Sequence, residues 1–181
     1  LICGTLSAIK ENSKLDRFFT ISSLISLSTP TFWSGLLLII FFSVYLKWLP
    51  AGGMSGLKSY ILPAIALGLP ASAVIIRMVR TSLLEVLHEN YIRTAKAKGL
   101  SPLRVILRHA LKNALIPTVT IIGLQFGWLL GGTVVVETVF SWPGMGQLII
   151  TGILGRDYPM VQGAIIVLAF AFICINLFVD I

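Results

Sequence analysis

The sequence predicts an all-α fold, a polytopic bundle of transmembrane helices. Three observations predict it. The chain of 181 residues is 56% hydrophobic and only 12% charged, with a mean hydropathy of +0.95; a soluble domain carries roughly a quarter of its residues as charges. Long uncharged runs recur along it. Its net charge of +7, from 14 Lys and Arg against seven Asp and Glu, is gathered largely in one segment. So few charges cannot cover a water-soluble globule of this size. The same composition excludes disorder, which needs low hydrophobicity, and a disulfide scaffold, because the two cysteines, Cys3 and Cys174, both lie in apolar surroundings.

The elements follow in order. Residues 1–9 are apolar but too short to cross a bilayer and read as the tail of a helix. With no Met at the start, and with the other end directly after a span, the chain is expected to be a piece of a longer one, cut at both ends. The uncharged run 18–46 has 29 residues, and those at 59–76, 113–136 and 158–179 have 18, 24 and 22. About 20 helical residues cross a bilayer core, and lipid leaves unpaired backbone groups no partner. Four complete spans are therefore expected, at about 18–46, 59–80, 113–136 and 158–179, plus the end of a fifth. The run 138–155 is broken by Pro143, Gly144, Gly146, Gly152 and Gly155. It reads as a loop with a short interfacial or re-entrant helix, Ser141 being a candidate cap with Pro143 in the first turn. Trp142 suits the headgroup level.

Residues 77–112 hold eight Lys and Arg and two Glu, which is six of the seven net positive charges. Basic residues favour the cytoplasmic side. With this segment inside, the loop 81–112, the loop 10–17 and the C-terminus are cytoplasmic, and the loop 137–157 is outside. Eleven Lys and Arg then lie inside and three, Lys47, Lys58 and Arg156, outside.

The basic segment reads as two helices and a break. Glu85, Glu89 and Arg93 recur every four residues, a spacing that pairs Glu89 with Arg93. Leu84, Leu87, Tyr91, Ile92 and Ala95 form a mostly apolar face. Gly99 fits the position after a helix that needs positive φ. Ser101 can cap the next helix, with Pro102 as its first residue. There Leu103, Ile106, Leu107, Ala110 and Leu111 form an apolar stripe beside Arg104, Arg108 and Lys112, the pattern of a helix at an anionic lipid surface. By residue types alone the segment serves either as a solvated orienting loop or as a docking site. Its tether between two spans argues against nucleic acid.

At this point the residues carry a resemblance. The run Tyr91-Ile92-Arg93-Thr94-Ala95-Lys96-Ala97-Lys98-Gly99-Leu100-Ser101-Pro102, followed by Arg108-His109-Ala110-Leu111-Lys112-Asn113-Ala114-Leu115-Ile116-Pro117, resembles the cytoplasmic EAA loop of binding-protein-dependent ABC importer permeases, in the dipeptide, oligopeptide and nickel branch. Lys14-Leu15-Asp16-Arg17, Thr29-Pro30-Thr31-Phe32-Trp33, Glu137 to Gly146 and Arg156-Asp157-Tyr158-Pro159 agree with it, and it covers essentially the whole chain. The Glu-Ala-Ala that names the loop is here Arg93-Thr94-Ala95, and the proline that closes the generic pattern is displaced to Pro117, both usual in this branch. The family's first helix and most of its second are missing here.

The resemblance implies the permease core of a type I ABC importer. The segment 89–99, which also includes Glu89 and Thr94, would be its coupling helix, seated in a groove of an ATPase subunit: Arg93, Lys96 and Lys98 for polar contacts, Tyr91 and Ile92 as an anchor, Ala95 and Ala97 for close approach, and Gly99 for the turn. It also implies a second homologous permease, an extracytoplasmic solute-binding protein, a bacterial or archaeal inner membrane, and ATP and Mg used on partner subunits, with no cofactor on this chain. Glu137, Phe140, Trp142, Pro143, Gly144 and Gly146 form the extracytoplasmic loop motif.

Pro30, Pro63, Pro70 and Pro117 fall within the expected spans and can kink them, with Gly68 and Gly123 as further interruptions of the second and third spans; Gly127, Gly131 and Gly132 permit close contact. Each reads as packing or as a hinge for alternating access. No Asp, Glu, Lys, Arg or His lies inside the four uncharged runs, which counts against a proton-coupled carrier. Gln125, Gln162 and Asn176 are polar pathway candidates or interhelical hydrogen bonds. No phosphate-cradling loop with Lys is seen, and His88, His109 and the cysteines lack metal-ligand spacing, so no catalytic or metal site is expected. Peptide and nickel members share these motifs, leaving a nickel or metal-chelator importer as the alternative. A channel or secondary carrier is the reading from another class.

Overall fold

The computed structural model describes residues 1–180, and of residues 130–132, 179 and 180 the backbone only. The packing expected of Gly131 and Gly132 therefore lies outside the described residues. Among the described residues there is no strand. Helices α1 (Ile2–Ile9), α2 (Lys14–Ser28) and α3 (Thr31–Leu38, continuing as a π-helix over Ile39–Tyr45) come first. A 3-10 turn, Leu57–Tyr60, leads into α4 (Ile61–Leu87). Then follow α5 (Asn90–Ala97), α6 (Pro102–Arg104, continuing as a π-helix over Val105–Ala110), α7 (Leu111–Val139), α8 (Met145–Leu154) and α9 (Tyr158–Asp180).

The stretches Leu57–Leu87, Pro102–Leu129 and Tyr158–Phe178 are helices long and apolar enough to cross a membrane. Over the expected span 18–46 the chain forms two helices: α2 ends at Ser28, α3 begins at Thr31, and the pair, bent by 104°, is either a broken span or a re-entrant loop. Proline at position 30 removes an amide donor and pushes Thr29 off the helical region, so the break falls where the backbone requires it. Pro63 does not interrupt α4 as expected, since it sits in the first turn, where proline is tolerated. Pro70 and Pro117 lie inside α4 and α7, which continue through them. α4 also runs past residue 80 to Leu87, so Arg77, Arg80 and Glu85 are helical residues of an apolar rod.

The chain forms two compact units. The first comprises Leu1–Leu27 and Ser72–Ile122. Its core is Ala8, Leu83, Ile92, Ala95, Val105, Ala110 and Ala114, with Leu84, Val86, Leu87 and Leu100 packed against it. Four of these seven are alanine, which lets short helices approach closely. The second comprises Ser28–Ala71 and the chain from Gly123 onward. There Leu62, Ala66, Val136 and Phe140 are buried, with Leu38, Ile39, Phe42, Leu49, Leu67 and Val139 around them.

Candidate functional site: a basic helix hairpin and an acid-capped loop

In the first unit the helix expected to run from Glu85 through Arg93 is broken. α4 stops at Leu87, and the amides of His88 and Glu89 close a turn on the carbonyls of Glu85 and Val86 at 3.1 Å each. His88 Nδ1 donates to the Leu84 carbonyl at 2.7 Å. The expected Glu89–Arg93 pair is therefore corrected: Glu89 is the extended residue before α5, not a residue on the same helical face, and among the described residues the two side chains form no ion pair. Two backbone amides, Ile92 at 3.1 Å and Arg93 at 3.3 Å, bond to its carbonyl and start α5.

α5 ends as the sequence predicts. Gly99 has φ +79°. Its amide bonds the Lys96 carbonyl at 3.0 Å, and the Leu100 amide reaches the Ala95 carbonyl at 3.4 Å. This is the Schellman arrangement, which satisfies carbonyls at a helix end and favours glycine because a Cβ is strained at that φ. Leu100 then packs against the core. Pro102 is the first residue of α6 and Ser101 precedes it in an extended conformation, but the serine hydroxyl makes no capping bond.

The side chains of α5 divide by face. Ile92 is fully buried and Ala95 is 8% exposed. Ile92, expected as an anchor, and Ala95, expected for close approach to a partner, here hold α5 to its own unit. Glu89, Tyr91, Arg93, Thr94, Lys96, Ala97, Lys98 and Gly99 are exposed. The Tyr91 hydroxyl accepts a hydrogen bond from Asn113 Nδ2 at 2.8 Å, fixing α5 to the start of α7. Among the described residues Arg93, Lys96 and Lys98 have no acidic partner. In the next segment Ala110 is buried as the stripe predicts, and so is Val105, which the stripe omitted, whereas Leu103 and Leu107 are exposed. A π-helical turn, with more residues per turn than the assumed 3.6, changes the register over 105–110.

The same unit contains a polar cluster absent from the sequence reading. Asp16 is 3% exposed. Arg80 grips it with both ends of the fork, Nε to Oδ1 at 2.6 Å and a terminal NH2 to Oδ2 at 2.8 Å. The Ser7 hydroxyl donates to Oδ1 and the Asn12 amide to Oδ2. The bidentate guanidinium–carboxylate pair is among the stronger charge-assisted contacts. The available signal was one acidic residue in a basic turn and one arginine beyond an apolar run, 64 positions apart.

In the second unit the loop motif packs upon itself. The amides of Trp142 and Gln147 both turn to Glu137: the first meets its carbonyl at 2.7 Å, the second its Oε2 at 2.8 Å. Gln147 is the third residue of α8, so the carboxylate occupies the electropositive start of that helix. This corrects the expected cap. Ser141 (φ +49°) and Pro143 both precede α8, and Gly144 is its N-cap. A Cβ on Gly144 would overlap the Glu137 carboxylate, which explains the glycine. Phe140 is buried, and its carbonyl accepts the Gly53 amide at 2.9 Å. Trp142 meets Tyr60 edge to face with centroids 4.5 Å apart. Gly146 abuts Val134. Asp157 Oδ1 accepts the Met160 amide at 3.1 Å at the start of α9. Of the polar pathway candidates, Asn176 donates to the Phe172 carbonyl of its own helix at 3.0 Å.

Over residues 1–181 the chain matches the family described as "Binding-protein-dependent transport system inner membrane component". It is 46% identical over 181 residues to the glutathione transport system permease protein GsiC of Escherichia coli (strain K12), covering 100% of this chain and 59% of that protein. It is 48% identical over 177 residues to the protein of the same name from Pectobacterium atrosepticum, covering 98% of this chain and 58% of the relative. The chain thus spans somewhat under three-fifths of the length of these curated relatives.

Proposed function

The chain belongs to the binding-protein-dependent transport system inner membrane components, and from that premise we propose that its full-length protein is the permease subunit of an ATP-driven importer of small peptides, glutathione among them. The chain is a multi-pass membrane component and a transport subunit, not an enzyme. The observation that carries the substrate class is the 46% identity, over its whole length, to a permease named for glutathione, itself a tripeptide. ATP and Mg then act on separate ATPase subunits. A second permease closes the path, and a solute-binding protein delivers the cargo.

Coupling to the ATPase is assigned to the exposed side of α5. Arg93, Lys96 and Lys98 carry three positive charges without acidic partners among the described residues. Ile92, Ala95 and the Gly99 turn lock the helix to the first unit, so a push on it moves the whole hairpin and not a loose loop. Charges of this kind at an interface steer and select a partner.

Two outcomes test the reading. Membranes with the full-length permease and its partner subunits are expected to take up labelled glutathione in an ATP-dependent way, with short peptides competing. ATP-dependent uptake of nickel with none of glutathione would replace this reading by the metal one. The orientation is checked separately: Ser101→Cys, in a full-length protein otherwise free of thiols, is expected to react with an impermeant maleimide only from the cytoplasmic side. Reaction from outside would invert the assignment.

A further inference from the structure

The second unit holds a cavity of about 280 Å³ that the coupling assignment does not use. Its walls are Pro63, Leu67, Val136 and the aromatic pair Tyr60 and Trp142, with Glu137 as the carboxylate among its lining residues. The Tyr60 and Trp142 rings meet edge to face at 4.5 Å. Glu137 Oε2 is engaged by the Gln147 amide. Oε1 has no hydrogen-bond partner among the described residues. The carboxylate is thus fixed by one oxygen and leaves the other, beside Gly144, without a hydrogen bond among the described residues.

An apolar slot with aromatic walls and one fixed, half-free carboxylate complements a primary ammonium. The free oxygen accepts an N–H, the ring faces attract the cation, and the apolar wall takes the carbon skeleton behind it. A carboxylate or phosphate group would meet Glu137 as a like charge. We propose that this cavity receives the α-ammonium end of a peptide on its way into the transporter. The inference rests on the functional reading above, which supplies peptides as the cargo; a free α-ammonium is a feature that dipeptides and glutathione share. Glu137 is then both the cap that orders α8 and the recognition group. Substrate held there lies against the loop it braces.

The test uses the full transporter in proteoliposomes without the solute-binding protein, so that the binding protein's own selectivity does not enter. The probe is a glycyl dipeptide with a photoactivatable leucine side chain, used with a free or an acetylated N-terminus. The free form is expected to label the segment 60–67 or Trp142. Acetylation should reduce that labelling roughly tenfold or more, the size of one charge-assisted hydrogen bond. Glu137→Gln should reduce labelling by the free form to the same extent while leaving thermal stability near wild type, because the amide oxygen still accepts from the Gln147 amide. Equal labelling by both probe forms, or wild-type labelling in Glu137→Gln, overturns the proposal. So does displacement of the label by phosphatidylethanolamine vesicles but not by unlabelled dipeptide, which would make the cavity a lipid site. Peptide uptake, measured separately with the solute-binding protein restored, together with Glu137-independent labelling overturns this inference alone; absence of peptide uptake by the wild-type transporter with the binding protein present overturns the functional reading as well.

Discussion

Arg80→Ala is expected to destabilise the full-length protein by about 3–5 kcal/mol, the cost of leaving one partner of a buried ion pair uncompensated. Asp16 has a side chain only 4% exposed, against 27% for Arg80. Without the guanidinium it keeps the Ser7 hydroxyl and the Asn12 amide, two neutral donors for a buried anion. Asp16→Ala should cost less, because the orphaned Arg80 can extend toward water. The double replacement should be milder than the sum of the singles, since residues in one network are not additive. Arg80→Lys should fall between, because an ammonium cannot reproduce the two parallel bonds. Thermal unfolding of the purified protein in detergent measures all four. Wild-type stability in both single alanine variants would show that the pair does not hold the first unit together.

The second large effect is functional and leaves the fold alone. Charge reversal of the exposed α5 residues, Arg93→Glu with Lys96→Glu and Lys98→Glu, is expected to abolish coupled uptake and weaken retention of the ATPase subunits by at least about tenfold, since each exposed ion pair is worth up to about 1 kcal/mol and reversal adds repulsion. Membrane insertion and unfolding temperature should stay at wild type, because these side chains are exposed and have no acidic partner among the described residues. Ala95→Glu would be a poor substitute. Ala95 is buried, so a carboxylate there would unfold the hairpin, and a loss of transport would say nothing of docking. Coupled uptake at the wild-type rate in the triple variant would remove α5 from the ATPase interface.

Local signals in the chain were legible wherever the physics is local. Gly99 was readable because a helix end that needs positive φ selects glycine, and Pro102 because proline suits a first helical turn. Residues 59–76, 113–136 and 158–179 were readable as helix because lipid leaves uncharged runs of that length one backbone solution. Where the local signal is incomplete the chain shows less. Pro30 marks a kink within 18–46 but not its angle, which packing sets. The turn at His88 and Glu89 contains neither glycine nor proline, so helical periodicity runs across it from Glu85 to Arg93 unannounced.

Legible in the chain without its fold are the class and the membrane. The helices, their approximate bounds and the concentration of positive charge follow from composition and periodicity, which are properties of neighbours in the chain. Tertiary structure alone decided which side of α5 faces inward, so that Ile92 and Ala95 belong to the core and Arg93, Lys96 and Lys98 to the surface. It alone paired Asp16 with Arg80 and set Glu137 on the amide of Gln147. The reason is the same in each case. A helical pattern states that a face is apolar but not what it will meet, and a buried charge selects a partner by distance in space, which 64 intervening residues conceal.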